Sequence, residues 1–423
     1  MTGLRICMLT TFYPPYSFGG DAMGVQRLSQ ALVRRGHDVT VVHDTDAFRA
    51  LYHGTAVERP DLDDDDGVKV IRLRSRTGAL SPLLVQQLGR PVMHAGRLRR
   101  LLRPGQFDVV NFHNVSLIGG PGLLAYPRDA VTLYMAHEHW LVCPTHVLWR
   151  FRKERCDERH CLRCVLSYHR PPQFWRYTGA LERAIARVDS VIAMSEFSRD
   201  KHREFGLTTP MEVLPYFLPD SEPPVPGGDS SPHPRPFVFF AGRLELIKGL
   251  DDVIPAFANC PDLDLVIAGD GDHAARLRSL AAGMPNVRFL GRLAPEALPA
   301  YYRHALASLV PSVCYETFGI VLIEAFRQGT PVIARRVGPF PEIIERSGAG
   351  VLFSTLPELE AALRRFQRDA PYRQRLSRAG QAAVRQHWTE AVVVPGYLEL
   401  VRRAARRRGH ARVAGLLSHE EVM

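Results

Sequence analysis

Short apolar runs alternate with one-faced amphipathic stretches along most of the chain, beginning with the run Leu4 to Leu9 and a helix-period stretch from about Met23 to Arg35. A brief apolar run bounded by turn residues reads as a buried strand, and apolar residues recurring every three or four positions read as a helix with one face inward. On that basis His37 to His43, Val68 to Leu73, Phe107 to Phe112, Val131 to Ala136 and Ser190 to Met194 are predicted strands. Pro91 to Arg103, Gln173 to Arg187 and Ser195 to Phe205 are predicted helices, the last capped by Ser195. A second series follows, with strands at Phe237 to Ala241, Leu263 to Ala268, Val287 to Leu290, Leu306 to Val310, Pro331 to Ala334 and Gly350 to Phe353. Its clearest helix runs from Ile320 to Arg327 and is closed by Gly329 and Pro331, and a long final helix is predicted from Gln386 to Arg408.

Strands that alternate with helices predict parallel, doubly wound sheets with right-handed crossovers. The stretch 219–236 is rich in proline, glycine and serine and cannot pack a core, so it marks a boundary. The expected organisation is an N-terminal domain over 1–218, a linker over 219–236, a second α/β domain over 237–385 and a C-terminal helix with a basic tail over 386–423. Ligands of such sheets bind outside the carboxyl ends of the strands.

Composition narrows the class. With 46% apolar and 23% charged residues the chain is globular, and it contains no long uninterrupted apolar stretch of membrane-spanning length. The N-terminus enters its first strand without a signal-peptide pattern, which predicts a cytoplasmic protein. A net charge of +10 favours anionic partners. Arg97, Arg99, Arg100 and Arg103 on an amphipathic helix suggest peripheral contact with an anionic membrane face, the alternative being solvated arginine. No nucleic-acid recognition module accompanies the charge.

The candidate chemistry centres on the stretch 311–334, where a strand runs into a loop and a helix. Glu316 lies in the loop and Glu324 in the helix, with seven residues between them. A helix beginning near Gly319 offers free N–H groups and a positive dipole end to an anion such as a diphosphate. The two glutamates repel that anion but suit neutral hydroxyls, and a ligand with both features is a nucleotide sugar. Arg243 and Lys248, on the loop after the strand Phe237 to Ala241, would stabilise charge on a departing diphosphate; surface salt bridging is the alternative. Gly19 and Gly20 open the first helix, where glycine permits close backbone approach, although the pair is not a dinucleotide-binding fingerprint. His113 and His137 each end a strand at the crevice edge, as positioning groups or as hydrogen-bonded structural residues.

The pattern Gly-Arg-Leu-x-x-x-Lys-Gly over 242–249, together with Glu316 and Glu324 in a Glu-x7-Glu arrangement, resembles the retaining glycosyltransferases of the glycosyltransferase family 4 type. The resemblance is strong from Phe237 to Phe353 and moderate from Leu4 to His137. It implies the GT-B architecture, two Rossmann-like domains facing a cleft. It further implies that Glu316 contacts the donor sugar, that the amides of Phe318, Gly319, Ile320 and Val321 hold it, and that Glu324 binds the ribose hydroxyls. Gly19 and Gly20 would touch the diphosphate, Arg243 and Lys248 would replace a divalent metal there, His137 would position and polarise, and the backbone near Leu293 would hold the base. The implied activity is retaining, metal-independent transfer from a nucleoside diphosphate sugar to a hydroxyl acceptor, with no catalytic cofactor. An epimerase of the same architecture, and a catalytically inactive partner-binding protein, are the alternatives.

One segment departs from the resemblance. Cys143, Cys156, Cys161 and Cys164 fall within 22 residues. Clustered thiols in a chain expected to be cytosolic read as metal ligands rather than disulfides, here for a structural zinc ion, with unbound thiols or cluster chemistry as alternatives.

Overall fold

The computed structural model describes residues 3–52, 63–220 and 230–417. Residues 221–229 of the expected linker and 418–423 of the expected tail lie outside the described residues. Two compact units emerge: Met1–Arg152, Glu158–Tyr216 and Glu390–Met423 form the first, and Lys153–Asp157 with Phe217–Thr389 form the second.

In unit 1 the strands are β1 Arg5–Leu9, β2 Asp38–Asp44, β3 Asp64–Asp65, β4 Val68–Leu73, β5 Val109–Phe112, β6 Val131–Ala136, β7 Ser190–Ala193 and β8 Met211–Val213. They build one sheet in the order β8-β7-β6-β5-β1-β2-β4-β3, parallel throughout except for the antiparallel edge pair β3–β4. Parallel strands covered on both faces need side chains that are apolar on both faces. Accordingly β5, β6 and β7 are buried at every position. Helix α1, Gly20–Arg34, turns Val25, Leu28 and Leu32 inward. Helix α2, Thr45–Leu51, follows β2 directly and is capped by the Asp44 side chain, which accepts from the amides of Asp46 and Ala47. Helix α3, Ala95–Leu101, buries only Leu98, and Arg97, Arg99, Arg100 and Arg103 are exposed on or beside it. Helix α4, Glu196–Glu204, has Ser195 as its cap, the hydroxyl accepting from the Ser198 amide at 3.0 Å. The C-terminal helix Glu390–Arg408 packs on this unit: Tyr397 is buried, and its hydroxyl accepts from the Asn111 side-chain amide at 3.3 Å.

Unit 2 carries β9 Phe237–Ala241, β10 Asp264–Ala268, β11 Val287–Gly291, β12 Ala307–Val310, β13 Val332–Arg335 and β14 Gly350–Phe353. Its sheet is wholly parallel in the order β11-β10-β9-β12-β13-β14, so the direction of winding reverses between β9 and β12. That reversal is the topological switch point at which doubly wound sheets leave a crevice. Helix α5, Ile320–Arg327, follows β12 and buries Leu322, Ile323, Ala325 and Phe326.

Three predicted helices differ from what forms. The stretch Gln173 to Arg187 is a short 3-10 turn, Phe174–Tyr177, and a separate helix, Ala180–Ile185, because Gly179 takes a left-handed φ of 69° that ends one and starts the other. Pro91 to Arg103 is helical only over Ala95–Leu101, His94 having left helical torsions. Gln386 to Arg408 is interrupted: one helix ends at His387 and the next begins at Glu390. Between them Trp388 is buried against Phe326, and its carbonyl accepts from the Leu218 amide at 2.8 Å. Burying a large side chain of this kind contributes about 2–3 kcal/mol, more than continuing the helix would return.

Candidate active site

Unit 2 assembles the charged residues of the two sequence motifs. Lys248 closes a short turn after β9, and Gly249 beyond it has φ 72°, with a side-chain carbon there brought to 2.2 Å from the Pro311 carbonyl. Glycine at 249 therefore lets the Lys248 loop lie directly on the loop after β12. Across that contact the Lys248 ammonium donates to Glu316 Oε1 at 2.6 Å, and the Ser312 hydroxyl donates to the same oxygen at 3.1 Å. Burial alone would push the Glu316 carboxyl up, but Lys248 and the two hydrogen bonds outweigh it and hold the group below the ordinary carboxylate range. Burial likewise opposes the charge on Lys248, and Glu316 outweighs it, so the ammonium is held more firmly than usual. Arg243 pairs with Glu245 at 2.9 Å and is near enough to act electrostatically on both Lys248 and Glu316.

The helix α5 begins beside this pair. Gly319, its first flanking residue, has φ 109°, a conformation suited to glycine, and a side-chain carbon there would press on Phe340 at 2.8 Å. The first amides of a helix lack intrahelical partners. Ile320 and Val321 are half-buried there, whereas Phe318 is buried, its ring edge-on to Trp388. Glu324 is half-buried one turn further on, close enough to Tyr302 to add to the burial that raises that phenol. Asp157, from the segment grouped with this unit, accepts from the Tyr315 hydroxyl at 2.6 Å, next to Glu316 in sequence. Leu293 is half-buried in the loop after β11.

In unit 1 the two crevice histidines meet. His113 Nδ1 and His137 Nε2 lie 2.8 Å apart, His113 Nε2 is 3.4 Å from Met8 Sδ, and His137 Nδ1 bonds the Tyr216 hydroxyl. Burial pushes the His137 imidazole down to about 4 and His113 well below its ordinary value, so both are neutral at neutral pH. Both ring nitrogens of His137 are engaged, and a ligand would have to displace one partner. Gly24 makes this arrangement possible: a side-chain carbon there would stand 2.3 Å from Tyr216 Cε1. Neither Tyr216 nor Gly24 is singled out by any sequence motif. Gly19 is extended at φ −165° and Gly20 is the first, exposed residue of α1, so no torsion demands glycine at 19.

Cys143, Cys161 and Cys164 are neighbours in unit 1, and Cys156 lies in the segment grouped with unit 2. Burial, then Cys143, raises the Cys161 thiol. Cys143 Sγ is 3.3 Å from the Thr145 hydroxyl, and Cys164 Sγ accepts from the Phe151 amide at 3.4 Å.

The Glycosyltransferase Family 4 model matches residues 18–221 and the Glycosyl transferases group 1 model matches residues 228–383. The chain belongs to the glycosyltransferases of this type, and its two doubly wound units are those of the GT-B class. Among curated relatives it is 29% identical to glycogen synthase of Mycobacterium tuberculosis, over 89% of each chain. It is 26% identical to phosphatidyl-myo-inositol mannosyltransferase of Mycobacterium leprae, over 88% of this chain and 91% of the other. Among solved structures, sucrose-phosphate synthase of Thermosynechococcus elongatus superposes with a TM-score of 0.68 at 19% identity, covering 95% of this chain and 98% of that one. Anabaena HepE in complex with UDP and glucose superposes with a TM-score of 0.63 at 18% identity, covering 94% and 98%. Among the described residues no helix is long and apolar enough to cross a membrane.

Proposed function

We propose that this glycosyltransferase is retaining and metal-independent, and that it moves a sugar from a nucleoside diphosphate sugar to a hydroxyl acceptor. The observation that carries the reading is the Lys248–Glu316 pair, 2.6 Å apart, with Arg243 in electrostatic range and the α5 N-terminus beside it. Fixed cations next to a helix N-terminus stabilise charge as it develops on a departing diphosphate, the task a divalent metal otherwise performs. Glu316 then meets donor sugar hydroxyls, and Glu324 meets the ribose. The bond from the anomeric carbon to the diphosphate breaks while the acceptor oxygen bonds to the same face of that carbon, and the leaving diphosphate takes the acceptor's proton. No enzyme nucleophile is needed. The neutral His137 suits hydrogen bonding to a hydroxyl in place of Tyr216 and is a poor proton acceptor. That HepE was solved with UDP and with UDP-glucose makes uridine diphosphate sugars the first donors to try.

A thermal-shift panel of nucleoside diphosphate sugars identifies the donor, since a ligand that binds only the folded state raises its midpoint. With that donor and an acceptor, turnover is expected to be the same with magnesium added or withheld, and the product linkage to keep the donor's anomeric configuration. Turnover that requires magnesium, an inverted linkage, or conversion of the donor with no acceptor present would each defeat the reading.

A further inference from the structure

Away from these residues, unit 1 holds a second cluster with its own chemistry. Among the described residues, Asp44, Asp46 and His94 form the group of three metal-competent side chains whose ligand atoms all lie within 4.8 Å of one another. Asp44 ends β2, Asp46 lies in the first turn of α2 that follows it, and His94 stands at the head of α3, so two segments far apart in sequence converge. All three are buried, with relative exposures of 0%, 2% and 5%.

The hydrogen bonds account for part of each carboxylate and leave the rest aimed inward. Asp44 Oδ1 accepts from the amides of Asp46 at 2.8 Å and Ala47 at 3.3 Å. Its other oxygen, Oδ2, is buried without a hydrogen-bond partner, as is His94 Nε2. These two atoms are 3.9 Å apart, and His94 Nε2 is 3.6 Å from Asp46 Oδ2. Asp46 Oδ2 also accepts from the Ser75 amide at 2.6 Å, which fixes that carboxylate and leaves a lone pair free. His94 Nε2 stands beyond hydrogen-bonding distance of both carboxylates. Zinc bonds to oxygen and nitrogen of about 2.0–2.1 Å in a tetrahedron set ligand atoms roughly 3.4 Å apart, close to what is found.

We propose that Asp44, Asp46 and His94 form a mononuclear divalent-cation site that ties the end of β2 to the segments holding Ser75 and His94. An imidazole with two carboxylates selects a zinc-class ion over magnesium, which prefers all-oxygen ligands. A water would complete the tetrahedron. The carboxylates cancel the ion's two charges, which explains how two acids share a buried pocket where, among the described residues, no arginine or lysine is paired to either. With its ligands buried, the site acts on stability, not turnover.

The test uses the full chain, stripped with a chelator and titrated calorimetrically with zinc chloride, then with magnesium chloride. Asp46→Asn and His94→Gln keep shape and remove a ligand, and Asp44→Asn also keeps an oxygen for the α2 cap. A Cys161→Ser, Cys164→Ser chain removes thiolate-held zinc from the count. The expected result is one zinc in the cysteine-substituted chain, bound at least about 100-fold more weakly once either Asp46→Asn or His94→Gln is added, and no competition from magnesium. Zinc should also raise the melting midpoint, and the rise should vanish in both variants. Cobalt in the cysteine-substituted chain provides a readout free of folding effects: weak visible bands without thiolate charge transfer are expected. Equal zinc uptake with and without the ligand substitutions, or a cysteine-substituted chain that takes up no cobalt, would overturn the proposal.

Discussion

Single residues separate binding from turnover at the donor site. A ribose contact from Glu324 exists in both ground and transition states, whereas leaving-group charge near Lys248 develops only in the latter. Glu324→Ala is therefore expected to weaken donor binding about tenfold with kcat little changed, as loss of a hydrogen bond to a charged group implies. Lys248→Ala is expected to lower kcat about 10²–10³-fold, and it also leaves the Glu316 carboxylate without its ion-pair partner. Steady-state kinetics with the identified donor distinguish the two, and an unchanged kcat in Lys248→Ala would remove the charge assignment. Much of this site was legible because charged motif residues sit in short loops next to strongly patterned strands. Tyr216 was not: its role comes from a hydroxyl brought to His137 across 79 residues, and no local pattern encodes such a meeting. Asp44, Asp46 and His94 were hidden for the same reason, since the two aspartates follow the predicted strand His37 to His43 and no local pattern joins them to His94.

At the level of elements, the loops of unit 2 depend on glycine to lie on one another. Gly269 has φ 146°, and a side-chain carbon there would come within 1.8 Å of the Gly242 carbonyl. The Gly242 amide bonds the Ala268 carbonyl at 3.1 Å and the Leu244 amide bonds the Asp270 carbonyl at 2.9 Å, so the loop bearing Arg243 is laced to the loop after β10. Gly269→Ala must part these loops and is expected to cost more than about 1 kcal/mol of stability while weakening donor binding through Arg243. Chemical denaturation alongside donor titration checks both, and a variant with parental midpoint and affinity would show that the lacing is dispensable. The strands Val68–Leu73, Val131–Ala136, Phe237–Ala241 and Gly350–Phe353 and the helix Ile320–Arg327 form where apolar periodicity places them. Periodicity fails at Gly179 and at Trp388, where a left-handed torsion and a buried indole interrupt patterns that are helical by letter. Both interruptions are two residues wide and invisible to a window of a dozen.

On the scale of the whole molecule, titration should act unequally on the two units. Burial lowers His37, His137 and His202 to about 4 and His113 well below its ordinary value, and all four belong to unit 1. Their folded values lie under the unfolded value of about 6.5, so between those limits each of these four side chains binds more protons in the unfolded chain than in the folded one. Stability is then full above about pH 6.5 and declines as pH falls, by up to about 1.4 kcal/mol per pH unit for each such histidine. In unit 2 the depressed Glu316 carboxyl contributes stability that is present above its unfolded value and lost only as pH falls through the lower folded one. Unit 1 should therefore soften first on mild acidification. Trp140, Trp149 and Trp175 are in unit 1 and Trp388 is in unit 2, so a Trp388→Phe chain reports unit 1 by fluorescence. Its urea midpoint is expected to drop between about pH 7 and about pH 5. A unit 1 midpoint that stays level across that interval would mean that these imidazoles are protonated in the folded chain, and with that the neutral His113–His137 pair would have to be abandoned.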